Sequence, residues 1–230
     1  MPKPWSWRTE REMLTLMIGS RFGLEPEKRI DEIRADRQNF AETVIAKRLK
    51  LEPTDVVLDL GSGCGFMAAP IASRVKHLYC ADLSPDFADF CRQETQSLSN
   101  VTVMTIPFAD LRQLDGLGIT KAFAHAVFIH FSLFDAVAYF RELALILPPG
   151  GLLLIDANDL DRINTTTDQD FNRHLQYYKS NRNNIFDLMQ WHSLPAYERV
   201  AAAEGFSLVE SAPSKNAAFT QLLFRRSEPR

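Results

Sequence analysis

Apolar positions along this 230-residue chain follow two rhythms, one helical and one of short unbroken runs, and the two alternate from residue 50 onward. Residues 8–50 read as helical. Ile30, Ile33, Phe40, Val44, Ile45 and Leu49 recur near a 3.6-residue period, and Arg37 stands on that stripe as a polar exception. Pro53 ends the run, and Asp55 leads into Val56–Leu60, a stretch suited to a parallel strand covered on both faces. A helix is expected over 66–75, irregular or late-starting because Pro70 lacks an N–H and clashes with the preceding turn.

The alternation continues. Residues 77–82 read as a second strand. Ser84-Pro85 opens a helix to about Leu98, with serine as cap and proline at the first helical position. Val101–Ile106 and Lys121–Phe128 read as strands three and four. Ser132 with Asp135 resembles a capping box for a helix through Leu147, which Pro148-Pro149-Gly150-Gly151 stops. Leu152–Asp156 is strand five. Residues 159–192 are polar and aromatic without a strong period. A helix near Pro195–Glu204 then stops at Gly205, and Phe206–Glu210 and Phe219–Arg225 read as an antiparallel pair. Strands alternating with helices imply a parallel sheet with right-handed crossovers. The expected architecture is an α/β, seven-stranded, mostly parallel, doubly wound sheet with its last strand antiparallel. A helical cap over 1–50 precedes a domain over 51–230, which carries an insertion at about 159–192.

Composition narrows the partners. A net charge of -3 carries no polyanion signal, so no nucleic-acid partner is expected. No apolar run nears the ~20 residues of a membrane span. The start, Met1-Pro2-Lys3-Pro4-Trp5, has no apolar leader segment, which fits a cytoplasmic protein. Cys64, Cys80 and Cys91 are odd in number and lack CxxC spacing, so they are expected as reduced thiols. Asp156, Asn158, Asp159 and Asp161 are oxygen-rich but lack an acidic partner at the end of strand four, so no metal is expected.

The candidate chemistry starts where the first strand runs into Gly61-Ser62-Gly63-Cys64-Gly65. Glycines at every second position permit positive φ and close approach of a ligand to the main chain. Strand, turn and helix in that order form a nucleotide-type cofactor site at the carboxyl end of a parallel sheet. A dinucleotide enzyme would use GxGxxG, and here the third glycine falls one residue early.

Asp59-Leu60-Gly61-Ser62-Gly63-Cys64-Gly65, Asp82 at the end of strand two, the Pro-Pro-Gly-Gly turn and the closing antiparallel pair together resemble the class I S-adenosylmethionine-dependent methyltransferases over about residues 50–226. The resemblance implies S-adenosylmethionine as cofactor, held by Asp59, Gly61, Ser62, Gly63, Gly65, Asp82 and Leu83. Asp59 would face the ammonium of its amino-acid end, and Asp82 would accept from the ribose hydroxyls. Pro107, Phe108 and Asp110 stand where relatives contact adenine, although the usual acidic-then-small pair is missing. His125 and His130 follow strand four, where small-molecule methyltransferases of the family carry a histidine. His125 could also face the methionine end of the cofactor or sit in the core.

Methyl transfer is an in-line displacement for which the protein positions the acceptor, excludes water and removes a proton. His125, His130 and His174 are the candidate catalytic residues, with His192 a further histidine of the same region. Asn158, Tyr177, Tyr178 and Trp191 are candidate acceptor contacts. The expected partner is a small-molecule acceptor, methylated most readily at oxygen, with a homodimer left open. A cofactor-bound cyclase or decarboxylase and a non-catalytic binding protein of the same fold are the alternatives.

Overall fold

The computed structural model describes residues 30–163, 172, 175, 176, 179, 189–213 and 219–228. Seven strands form one sheet in the order β3-β2-β1-β4-β5-β7-β6. They are β1 (Val56–Leu60), β2 (His77–Asp82), β3 (Val101–Thr105), β4 (Lys121–Ala124), β5 (Leu152–Asn158), β6 (Phe206–Pro213) and β7 (Phe219–Arg226). The first five pair in parallel, and β7 runs antiparallel to both β5 and β6. The sheet reverses direction of winding at β1 and β4, which opens a crevice at their carboxyl ends.

Side chains alternate across the sheet with period two. Leu58, Leu60, Ala122, Ala124, Leu153 and Ile155 face one core layer, where α4 (Leu133–Ile146) and α5 (Leu194–Ala203) pack. Val57, Leu78, Cys80, Phe123 and Leu154 face the other. That side is closed by α2 (Ala68–Ala72), by Cys91 of α3 (Pro85–Thr95) and by the end of the amino-terminal helix. This helix begins as α1 (Ile30–Phe40) and continues through a π-helical stretch (Ala41–Ile45) into a last turn (Ala46–Arg48). The described part of the expected helical cap is therefore helical to within two residues of its end.

Several local signals act as read. Ser84 caps α3 by accepting from the Phe87 N–H, with Pro85 in the first turn. Ser132 and Asp135 form a reciprocal capping box on α4. Pro70 sits at the third position of α2, where the missing N–H has no intrahelical partner to lose. That helix is five residues long, shorter than the stretch over 66–75. Helix α3 stops at Thr95, short of Leu98.

Strand four departs most from expectation. It pairs only over Lys121–Ala124 instead of reaching Phe128. Ala126 takes φ 59°, a left-handed conformation that ends the strand, and Phe128–His130 form a 3-10 turn. The Ala126 N–H leaves the ladder to donate to Asp156 Oδ2 at 3.1 Å. Val127 folds over Gly61, so closely that a Cβ on Gly61 would lie 2.3 Å from Val127 Cγ2.

Candidate active site

The glycine turn is anchored to β2 by backbone and side chain together. The Gly61 and Ser62 N–H groups donate to the Ala81 carbonyl at 2.7 and 3.2 Å. Gly63 N–H donates to Asp82 Oδ2 at 2.8 Å, and Ser84 N–H to Asp82 Oδ1 at 2.9 Å. One carboxylate thus ties the loop after β1 to the loop after β2. Gly61, Gly63 and Gly65 all have positive φ. Gly65 also lies against α3, where a Cβ would meet Cys91 Sγ at 2.6 Å. Two of the glycines therefore serve close approach of the chain to itself, which the expectation of a ligand cradle had not included. Burial raises the Asp82 carboxyl, and the N–H groups of Ser84, Gly63 and Leu83 offset that rise. Each Asp82 oxygen keeps a further lone pair for a hydroxyl donor. Leu83, the residue between them, is half-buried.

Asp59 lies beneath this loop with no exposed surface, and neither of its oxygens has a hydrogen-bond partner in the described structure. Burial holds its carboxyl well above the usual carboxylate range, with Cys91 and Asp82 adding to the effect. A buried carboxyl group without a donor is costly and calls for an explanation, such as a cationic or N–H-bearing ligand.

Residues 106–110 form a second wall. Phe108 is 51% exposed, and its ring meets Phe131 and Tyr139 edge-on, with centroids 6.0 and 5.3 Å away. Tyr139 is buried and its phenol is raised to about 12, chiefly by that burial, with the Ala109 backbone opposing the rise and the Asp82 charge adding to it. Pro107 is exposed. Asp110 is turned to Arg112, whose guanidinium holds the carboxylate down at about 2.

The ends of β4 and β5 carry a different constellation. His125 Nδ1 bonds Asp156 Oδ2, and its Nε2 bonds Arg37 Nη1 from α1. A guanidinium only donates, so Nε2 accepts; the imidazole is then neutral, with its proton on Nδ1 facing Asp156. Phe40 packs on the His125 ring at a centroid distance of 4.2 Å. A small cavity opens beside these groups, lined by Phe40, Ile45, Phe123, Ala124, His125, Leu154, Ile155 and Asp156. At its other end α1 rests on the glycine loop through Ile30 and Ile33, which pack against Cys64, Phe66 and Phe87. Arg34 fixes that contact by a bidentate pair with Glu94, at 2.7 and 3.1 Å. The helix thus spans the crevice from the glycine loop to His125.

Other candidates are placed differently. His130 ends the 3-10 turn, its backbone N–H donating to the Val127 carbonyl. Asn158 is fully buried and its Nδ2 donates to the carbonyls of Gln190 and Ile129, at 3.0 and 3.4 Å. His192 bonds the Phe131 carbonyl through Nε2 and bridges to Asp159. Both residues thus seal the 189–193 segment onto the turn after β4. Trp191 is half-buried in that segment. The oxygen-rich run after β5 is dispersed, with Asp156 on His125 and Asp159 Oδ1 accepting from the Asp161 N–H at 3.0 Å. His174, Tyr177 and Tyr178 lie outside the described residues. Arg37 and Phe40 are the site residues that sequence reasoning did not assign; the signal available was a charge on an apolar stripe.

Residues 57–151 match the methyltransferase domain family. Protein-L-isoaspartate O-methyltransferase of Protochlamydia amoebophila is 33% identical over 76 residues, 32% of this chain and 36% of that protein. The chain thus spans about a third of that curated relative's length. Magnesium protoporphyrin IX methyltransferase from Synechocystis, solved with S-adenosylhomocysteine, superposes with a TM-score of 0.62 at 18% identity, covering 91% of this chain and 89% of that one. Geranyl diphosphate C-methyltransferase from Streptomyces coelicolor, solved with Mg²⁺, geranyl diphosphate and S-adenosylhomocysteine, gives 0.64 at 16% identity, covering 90% and 87%. At such identities the likeness concerns the fold.

Proposed function

We propose that this chain carries a class I S-adenosylmethionine-dependent methyltransferase domain and transfers the cofactor's methyl group to an oxygen of a small-molecule acceptor. The observation that carries the reading is the pair of buried carboxyl groups around one glycine turn. Asp82 closes the loop and keeps lone pairs for vicinal hydroxyls; Asp59 waits beneath it without a partner. An amino-acid nucleoside fits both, with its ribose on Asp82 and its ammonium toward Asp59. The exposed Phe108 ring supplies an apolar face for the base, bordered by Pro107. Asp110, engaged by Arg112, is the weaker candidate for the adenine amino group.

The cofactor supplies an activated methyl on a sulfonium. The protein's part is to place the acceptor, exclude water and take up a proton. His125 is the residue suited to the proton. Asp156 holds Nδ1–H, so that Nε2 carries the lone pair and points toward the crevice under α1. The acceptor hydroxyl gives its proton to Nε2 while its oxygen forms the bond to the methyl carbon. The bound cofactor would supply the methyl carbon and take back the electron pair of its methyl–sulfur bond, and Asp156 would stabilise the imidazolium formed at His125. This parallels the way a carboxylate orients a catalytic histidine in other enzymes.

Calorimetric titration with S-adenosylhomocysteine tests the cofactor half of the proposal, and a single site is expected. Formation of S-adenosylhomocysteine from S-adenosylmethionine in the presence of a hydroxylated acceptor panel tests the transfer half. Acceptor consumption without that product would instead support cyclase or decarboxylase chemistry.

A further inference from the structure

Four arginines of the described structure are engaged by carboxylates or carbonyls at several donors. Arg34 is forked by Glu94, Arg141 by Glu204 and Arg112 by Asp110. Arg226 is spread over the carbonyls of Ala144, Gly205 and Ser227. Arg37 differs. Its guanidinium is half-buried, yet among the described residues its hydrogen-bond partner is the His125 ring nitrogen, and no carboxylate lies within ion-pair distance. Among the described residues, one N–H of five is used. Burial lowers its pKa, opposed at longer range by Asp36 on its own helix and by Asp156 across the crevice. Asp156 is already occupied by the His125 Nδ1–H and the Ala126 N–H.

A half-buried cation with most of its donors unspent among the described residues is a receptor for a planar anion, because a carboxylate satisfies two N–H groups of the fork at once. The position matters as much as the charge. Arg37 holds the very nitrogen that must be free to accept a proton, so the proposed base is engaged in the absence of acceptor. The Phe40 ring keeps the imidazole in place while its partner changes.

Resting on the methyl-transfer reading, we infer that Arg37 selects acceptors that carry a carboxylate besides the reacting hydroxyl, and that binding of this carboxylate draws the guanidinium off His125 Nε2. The acceptor thus uncovers its own base. Neutral acceptors of the same shape leave Arg37 on His125 and are methylated poorly.

The test uses the full chain with ¹⁵N-labelled histidine, the His125 resonances being assigned from the His125→Asn variant. Acetate is titrated at constant ionic strength, with acetamide as its neutral counterpart. Acetate shifts the His125 Nε2 resonance saturably, and acetamide does not. Arg37→Gln weakens the acetate response by about tenfold or more, the loss expected for one charge-assisted hydrogen bond. Arg37→Lys, which keeps the charge without the fork, falls between them. Absence of an acetate response, an equal response to acetamide, or an unchanged response in Arg37→Gln overturns the inference. Titration of the same samples with S-adenosylhomocysteine separates the two proposals. Cofactor binding without an acetate response rejects the role of Arg37 alone, whereas an acetate response without cofactor binding rejects the methyltransferase reading.

Discussion

The carboxyl ends of β1 and β2 and those of β4 and β5 lie side by side in one sheet, yet they are built on opposite plans. At the first pair, the glycine loop and Asp82 are satisfied by nearby main chain, while Asp59 has no partner among the described residues. Asp82 accepts from Gly63 and Ser84, and the Gly61 and Ser62 N–H groups donate to the Ala81 carbonyl. At the second pair, side chains from three distant segments satisfy one another, through Arg37, His125 and Asp156. The first plan makes a rigid seat for a ligand of fixed shape. The second makes a wall of side chains whose partners can exchange, the side proposed here for the acceptor. On the proposed reading, one sheet would supply a fixed donor end and an adaptable acceptor end.

The largest effects are expected at the acceptor end. Replacing His125 by Ala should lower turnover by about 10²–10⁴-fold, the usual worth of a positioned acid or base, with S-adenosylhomocysteine affinity kept. Asp156→Asn should lower turnover less, because Nδ1–H loses its carboxylate partner and the imidazolium its counter-charge, with S-adenosylhomocysteine affinity again kept. Equal loss of cofactor affinity in either variant would erase the distinction between the two ends.

A middle-sized effect is expected where the ends touch. Gly61→Ala combines a positive φ with a clash against Val127, and should cost about 1–3 kcal/mol in stability by chemical denaturation. Val127→Ala should restore part of that loss, since the obstructing methyl groups belong to Val127. No recovery in the double variant would mean that φ alone carries the cost.

The smallest effect concerns Asp59. Its carboxyl is raised in the folded state, so the native protein binds the proton more tightly than the unfolded chain. Stability contributed by that proton is present below the ordinary carboxylate range and falls as pH rises toward the folded value. Asp59→Asn should therefore raise Tm at pH 8, and the gain should shrink as the pH is taken down to about 4. The same variant should bind S-adenosylhomocysteine more weakly. A gain in Tm without loss of affinity would remove Asp59 from the ligand site.

The same contrast explains what could be read from the chain. Ser84-Pro85, the Ser132–Asp135 box and the glycine turn act within a few residues of themselves, so spacing suffices to place them. Asp82 is nineteen positions from Gly63, but it terminates the next strand, and a parallel sheet sets neighbouring strand ends together. Arg37 is separated from His125 by 88 positions and belongs to a helix whose direction over the sheet is set by packing. On sequence it was only an irregularity in an apolar stripe. The truncation of β4 was hidden for a related reason: Ala126 turns left-handed because Asp156, thirty positions on, takes its N–H. The bonds of Asn158 and His192 were hidden likewise, since Gln190 and Phe131 are brought to them only by the fold.

The central claim is that Asp82 and its loop form the seat of the cofactor. Isothermal titration of the wild-type chain and of Asp82→Ala with S-adenosylhomocysteine tests it most directly. The account predicts one site per chain in the wild type and an affinity about 100-fold weaker in the variant, as expected for losing two hydrogen bonds to a charged group. A wild-type chain that gives no binding, or a variant that binds as tightly as the wild type, would contradict it.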